Sequence, residues 1–310
     1  MRIGRTAILI GLLGAILVLP PGSRAQVGVD CDRGETIGAA LSGLRTGDTL
    51  PVSGICQENV LIPPGMSGVT LDGQGRATIM TSQTAASIIL ILGREITVKG
   101  FTLIGGRNGI IVLRGASATI DGNIIRDTGR GGQPGSGLGI NVGQHSFAGI
   151  VNNVIEDNRR IGILVHESSS ARIGFIDVAL AAGAPNTIRN NGEDGIRVST
   201  SSNARILASI ITNNGRNGVR VEKGSQIEAA NNLITGNGED GILSIGSSGV
   251  DMDIGGGAVA LPNRSDPADP NAGYGIRCLL GGYVAGPLGT LSGNLGPAQI
   301  DATCADALQR

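Results

Sequence analysis

Short runs of alternating apolar and polar side chains recur along this chain, and seven of them open on a glycine. Ile110 and Val112 follow Gly109, Ile140 and Val142 follow Gly139, and Ile163 and Val165 follow Gly162. Gly195, Gly218, Gly241 and Gly275 lead the same pattern through Ile196 and Val198, Val219 and Val221, Ile242 and Ser244, and Ile276 and Cys278. The first and third residues after the glycine are mostly β-branched, while the second and fourth vary freely. That period of two predicts short strands with one buried face. A second pattern precedes each glycine, in Ile120-x-x-Asn123-x-Ile125, Ile150-x-x-Asn153-x-Ile155, Ile206-x-x-Ser209-x-Ile211 and Ala229-x-x-Asn232-x-Ile234. It too predicts short extended segments.

The glycines lie 30, 23, 33, 23, 23 and 34 residues apart, so a base period of 23 is lengthened three times by inserts at 128 to 137, 177 to 185 and 256 to 272. No window here sustains a 3.6-residue period. Two or three strands joined by tight turns fill such a unit, which predicts an all-β solenoid whose every repeat is one coil of a parallel β-helix. Residues 23 apart then form columns along the stack, about 4.8 Å per coil. Asn158, Asn191, Asn214 and Asn237 make one column. Asn tolerates the left-handed backbone of a turn, and stacked amides bond coil to coil. Arg160, Glu193, Arg216 and Glu239 make another, of alternating charge, and predict an ion ladder.

Composition supports a thin, continuous core. Glycine contributes 53 of 310 residues, the hydrophobic fraction is 40% and aromatic residues are only 2%, with no Trp. Stacked Ile, Val, Leu and Ala suit a narrow interior. The formal charge of −1 becomes −4 once Arg2, Arg5 and Arg24 are removed with the leader, since no acidic residue precedes Ala25. Nucleic acid is therefore not an expected partner.

That leader is read at 1–25: arginines, the apolar run Ala7 to Leu19, then Pro20, Pro21 and Gly22, and small residues around Ser23-Arg24-Ala25. This run of 13 residues falls short of the roughly 20 that cross a bilayer. Cleavage near Ala25 gives a secreted or periplasmic monomer with no membrane span. Four cysteines in an exported chain predict disulfides. Three pairings are possible, and proximity favours Cys31 with Cys56 and Cys278 with Cys304, one at each end of the stack. Residues 26–48 are expected to cap the first coil, with a helix over 33 to 44 started by a capping box of Asp32 and Glu35 and packing Ile37, Ala40, Leu41 and Leu44 inward. The β-helix is expected at 49–282. Residues 283–310, rich in Gly and Pro, are expected to leave the repeat as the other cap.

The opening between Cys31 and Cys56, with Thr49-Leu50-Pro51-Val52-Ser53-Gly54 and Glu58-Asn59-Val60, together with the Asn-x-Ile and Asn-Gly-x-x-Gly-Ile-x-Val coils, resembles the secreted right-handed parallel β-helix proteins of the pectate-lyase-like superfamily. The resemblance implies a right-handed, single-stranded β-helix. It does not imply one activity, because such coils occur in pectate lyases, rhamnogalacturonan hydrolases, alginate epimerases, copper-site accessory proteins and adhesins.

Candidate chemistry lies on the outward strand face. Arg197 stands one coil from Arg220, with Arg277 further along, and the fourth positions are His166, Ser199 and Glu222. This small cationic patch predicts binding of acidic polysaccharide through Arg197, Arg220, Glu222 and Arg277. The alternative is a lyase or epimerase acting on uronate-containing glycans, with Arg197, Arg220 and His166 as catalytic candidates. Asp194 and Asp240 lack a third carboxylate, so no metal is expected there. Calcium is considered only at Asp251 and Asp253, and no other cofactor is expected. The paired strand-face carboxylates of a glycoside hydrolase are not visible. Tyr274 and Tyr283 are the only platforms of the Trp or Tyr type for neutral sugars.

Overall fold

The computed structural model describes residues 28–175, 184–252 and 262–310. The expected leader at 1–25, and much of the inserts at 177 to 185 and 256 to 272, lie outside them. Every strand pairing among the described residues is parallel. The seven glycine-led strands lie in one ten-stranded sheet running from Val60–Ile62 through Ile110–Val112, Ile196–Val198 and Tyr274–Leu279 to Gly296–Ile300. The other eighteen strands form the remaining wall, to which the middle coils each supply a pair such as Ser117–Asp121 and Ile124–Arg126, while Thr70–Thr81 and Ile96–Gly105 each run as one long strand. Each middle coil therefore has three strands and three turns. Register between coils follows the sequence columns: Ile140 pairs with Ile163, Ile163 with Ile196, Ile196 with Val219 and Val219 with Ile242. All five are fully buried, which builds the stacked aliphatic core that alternation predicts.

The seven glycines are required by packing and not by backbone conformation, since none has a positive φ. A β-carbon on Gly195 would lie 2.7 Å from Ile211 Cγ2, 2.7 Å from Asn214 Nδ2 and 2.8 Å from the Gly218 carbonyl oxygen. Neighbouring coils approach too closely there for any side chain. The expected Asn column forms a buried ladder: Asn158, Asn191, Asn214 and Asn237 each donate through Nδ2 to the next Oδ1, and Asn271 completes the row at 2.8 Å from Asn237. One part of its explanation is corrected. The left-handed residue is not the ladder Asn but the one before it: Asp157, Asn190 and Asn213 have φ near 55°.

Two further ladders occupy the other turns. Asn123 donates its backbone N–H to Asn153 at 2.9 Å, Asn153 donates likewise to Asn186 at 3.0 Å, and Asn232 donates to Asn263 at 3.1 Å. In the third turn the N–H groups of Ser146, Ser169, Ser202 and Ser225 each reach the serine oxygen one coil on, at 3.1–3.3 Å. All three turn regions thus satisfy buried backbone donors with side chains.

Both disulfides form as expected, Cys31 with Cys56 and Cys278 with Cys304, with Cα separations of 5.0 and 6.2 Å. Such bridges mark a chain folded in an oxidising compartment. Among the described residues no helix is long and apolar enough to cross a membrane.

The first cap differs from expectation. Its α-helix spans only Ile37–Leu41, after a 3-10 turn at Cys31–Arg33. The expected capping box does not form, because Asp32 accepts from the Ile55 N–H and Glu35 from the Asp30 N–H. Thr36 caps the helix instead, and Glu58 accepts from the Ile37 and Gly38 N–H groups at 2.7 and 3.0 Å, tying the helix to the next coil. At the other end, the segment expected to leave the repeat stays in it. Tyr283–Pro287 pairs with Gly249–Asp251 and with Ala305–Gln309, and Gly296–Ile300 pairs with Tyr274–Leu279. Its Gly and Pro residues occupy strands and turns of the same coil geometry.

Candidate functional site

The outward columns of the ten-stranded sheet hold the predicted residues. Alternation turns Ile196, Val198, Val219 and Val221 inward, so Arg197 and Arg220 face out and pair directly in register. Arg220 is followed by Leu243, then Arg277, then Gln299. The two central arginines are therefore one coil apart, and Arg277 is two coils beyond.

Their charges are not free. Arg197 Nε donates to Asp194 Oδ2 at 2.6 Å, and its Nη2 donates to Glu193 at 3.1 Å. Arg220 Nε donates to Glu222 at 2.8 Å, and its Nη2 lies 2.7 Å from the same oxygen. Arg277 reaches Asp240 at 3.6 Å. With Arg160 bound to Glu193 at 2.9 Å, the four arginines stand against Glu193, Asp194, Glu222 and Asp240. The patch expected to be cationic is thus charge-balanced. Arg197 and Arg220 each spend Nε and Nη2 on carboxylates, and neither Nη1 has a partner among the described residues. The carboxylates orient the guanidinium groups while one edge of each remains available.

The electrostatics separate the candidates. Burial by itself would lower the Arg197 pKa, but Asp194 and Glu193 outweigh it and hold the guanidinium above its ordinary range. A group held so firmly in its charged form is a poor proton acceptor. Burial pushes His166 down, opposed only by Glu167, so its imidazole is neutral at pH 7. Its Nε2 is buried with no hydrogen-bond partner among the described residues. A β-carbon on Gly143 would meet that nitrogen at 2.6 Å, so the ring leans over the preceding coil, on the side away from Arg197 and Arg220. The structure brings the arginines together and leaves His166 facing elsewhere.

The expected ion ladder is only partly built. Arg160 reaches Glu193, Arg216 acts on Glu193 through its charge without a close ion pair among the described residues, and Glu239 accepts from Asn217 at 3.1 Å. Asp194 and Asp240 join a hydrogen-bond row that sequence reading did not anticipate. Asn217 donates to Asp194 Oδ1 through its backbone N–H and Nδ2 at 3.1 and 2.9 Å, the Asp240 N–H donates to Asn217 at 3.2 Å, and the Tyr274 N–H donates to Asp240 at 2.8 Å. Asp–Asn–Asp at 23-residue spacing was the available signal. Burial raises the Asp240 pKa, with the Tyr274 N–H and Arg277 acting against it. Of the calcium candidates, Asp251 lies on the strand Gly249–Asp251, while Asp253 lies outside the described residues.

The insert at 128 to 137 does wall a hollow, of about 490 Å³, but not over the arginines. It stands over Leu61, Leu90, Ile111 and Asn141, nearer the N-terminal end, with Arg107 donating to the Pro134 carbonyl. Asn141 lies two register steps from Arg197, and its buried Oδ1 lacks a hydrogen-bond partner. The described part of the later insert continues the turn ladders through Asn263 and Asn271 and bridges Leu233 to Arg264, so it belongs to the coil wall.

A parallel β-helix with three turn ladders and an outward polar column defines the class. The chain belongs to the family described as right handed beta helix region, whose model matches residues 67–255. Solved structures similar to it include the periplasmic alginate epimerase AlgG, at 16% identity and a TM-score of 0.43 over 91% of this chain and 68% of that one. The A-module of the Azotobacter vinelandii mannuronan C-5 epimerase AlgE4 is 14% identical, with a TM-score of 0.43 over 90% of this chain and 99% of that one. Pectate lyase Pel9A is 11% identical, with a TM-score of 0.46 over 88% and 73%. No match is found among curated protein sequences.

Proposed function

We propose that this is an exported β-helix that binds acidic polysaccharide along the outward face of its ten-stranded sheet. The observation that supports this reading is the in-register stack of Arg197 on Arg220, each oriented by carboxylates and each keeping an unpartnered Nη1. Guanidinium edges repeating at coil spacing suit carboxylates repeating along a linear polymer. Because the patch is charge-balanced, binding depends on this fixed geometry more than on long-range attraction. Affinity electrophoresis through alginate, pectate and neutral glucan gels tests it. Retardation by the acidic polymers that falls with Arg220→Gln supports the reading, and free migration in both overturns it.

One observation favours a second reading, that of a lyase or epimerase on uronate-containing glycans: His166 is a neutral imidazole with an unpartnered Nε2. Such a group accepts a proton without first losing a hydrogen bond. Ultraviolet absorbance of unsaturated uronate products, followed with and without calcium, tests the lyase form, and release of C5 solvent label tests the epimerase form. Silence in both assays removes this reading and leaves the binding reading standing.

A further inference from the structure

On a different wall of the solenoid, a second row of outward side chains runs parallel to the axis. Phe147 pairs in register with Ser170, Ser170 with Asn203, Asn203 with Gln226, Gln226 with Gly249 and Gly249 with Tyr283. The row thus carries two aromatic rings, Phe147 and Tyr283, and continues beyond them to Ser117 and Ala305. Phe147 and Tyr283 are 39% and 40% exposed, which leaves part of each side chain open to a ligand. Between them stand a hydroxyl and two amides, one per coil. Among the described residues none of these three side chains has a hydrogen-bond partner, so their donors and acceptors are unspent. Gly249 leaves room beside Gln226, whose Oε1 lies 1.8 Å from the place where a β-carbon would stand.

The row forms one flank of an open groove of about 520 Å³, floored by small residues such as Ala171 and Ala204. The other flank is charged and prearranged. Arg205 pairs with Glu228 at 2.6 Å and stands 5.6 Å from the centroid of the Phe175 ring. Arg172 lies 6.0 Å from the same ring. The flank carries both signs, through Arg172, Arg205, Glu228 and Asp251, so the charges of the described lining residues balance.

We propose that this groove binds a linear, uncharged oligosaccharide, with Phe147 and Tyr283 as terminal stacking platforms and Ser170, Asn203 and Gln226 meeting ring hydroxyls between them. Aromatic faces pack against the C–H faces of sugar rings, while hydroxyls need partners that both donate and accept, as amides and hydroxyls do. The two platforms are five coil steps apart, about 24 Å at 4.8 Å per coil. A chain of about five or six pyranose rings spans that distance. Neutrality of the groove and of the ligand match. The site is separate from the arginine column of the ten-stranded sheet, and the proposal does not rest on the acidic-glycan reading.

Tyrosine emission of the full chain provides a direct probe, since the protein has no Trp and only two Tyr. In a Tyr274→Phe background the emission belongs to Tyr283 alone. Titration with neutral β-1,4-linked disaccharides and hexasaccharides of glucose, mannose and xylose is expected to change that emission with at least one hexasaccharide, and its disaccharide is expected to bind at least tenfold more weakly. Phe147→Ala, an exposed substitution, is expected to weaken the hexasaccharide about tenfold, and Arg220→Gln is expected to leave it unchanged. Calorimetry on the Tyr283→Ala variant supplies the matching measurement for the other platform. Absence of binding by every hexasaccharide at millimolar concentration overturns the proposal, as does affinity that ignores both aromatic substitutions. Loss of acidic-glycan binding with neutral binding intact would count against the arginine column only.

Discussion

Arg197 holds Asp194 in place from one coil while Asn217 holds it from the next. Asp194 is fully buried, and Arg197 Nε donates to it at 2.6 Å. The outward candidate site and the inner hydrogen-bond row therefore share a residue. Removing the arginine leaves a buried carboxylate without its cation, so Arg197→Ala is expected to destabilise the protein by about 3 kcal/mol. Urea denaturation checks this, and Asp194→Asn added to Arg197→Ala is expected to restore part of the loss.

Gly195 tests the packing explanation for the repeat. A methyl group there would press on Ile211, Asn214 and the Gly218 carbonyl oxygen at 2.7–2.8 Å. Gly195→Ala is expected to cost about 1–3 kcal/mol. A change of only a few tenths in the urea-derived stability would contradict a close-approach role.

Ala208 is the opposite case. It has φ 51° at a turn position occupied in other coils by Gly122, Asn152 and Asn231. The left-handed conformation is costly for alanine and free of steric penalty for glycine. Ala208→Gly is expected to stabilise the chain by about 0.5–1 kcal/mol, read as a higher urea midpoint.

The depressed pKa of His166 gives a signed pH effect. Its ordinary value is 6.5, and burial lowers it in the folded chain, so between the two values the unfolded chain binds more protons. The His166 contribution to stability is complete above pH 6.5 and is lost as pH falls from there through the folded pKa. Urea midpoints measured down this range are expected to decline in the wild type and to decline less steeply in His166→Gln. Equal slopes would contradict a buried, neutral imidazole.

The coils were legible in sequence because their signals are local and repeated. Ile196 and Val198 follow Gly195 as Val219 and Val221 follow Gly218, and register follows from that spacing. The pairing of Cys31 with Cys56 was legible because the other two cysteines lie many coils away. The cap helix was misjudged because Asp32 and Glu35 have capping-box spacing, yet long-range partners, the Ile55 and Asp30 N–H groups, claim them. Residues 283–310 were misjudged because Gly and Pro obscure alternation, although Tyr283 stays in register with Gly249. At the site, sequence placed Arg197 beside Arg220 but not the direction each side chain takes. Contact of Arg197 with Asp194, three residues earlier, and the lean of His166 over Gly143 depend on the room left by adjoining coils. The relation of Phe147 to Tyr283 was not legible, because the two stand five coils apart along one row.

Arg220, stacked on Arg197, is proposed to engage an acidic chain. Calorimetric titration of the full chain with alginate and pectate oligomers, wild type against Arg220→Gln, measures it most directly. The wild type is expected to bind at least one oligomer, and Arg220→Gln to weaken it about tenfold through loss of a charge-assisted contact. Equal affinity in the two proteins, or no heat with any acidic oligomer, would contradict it.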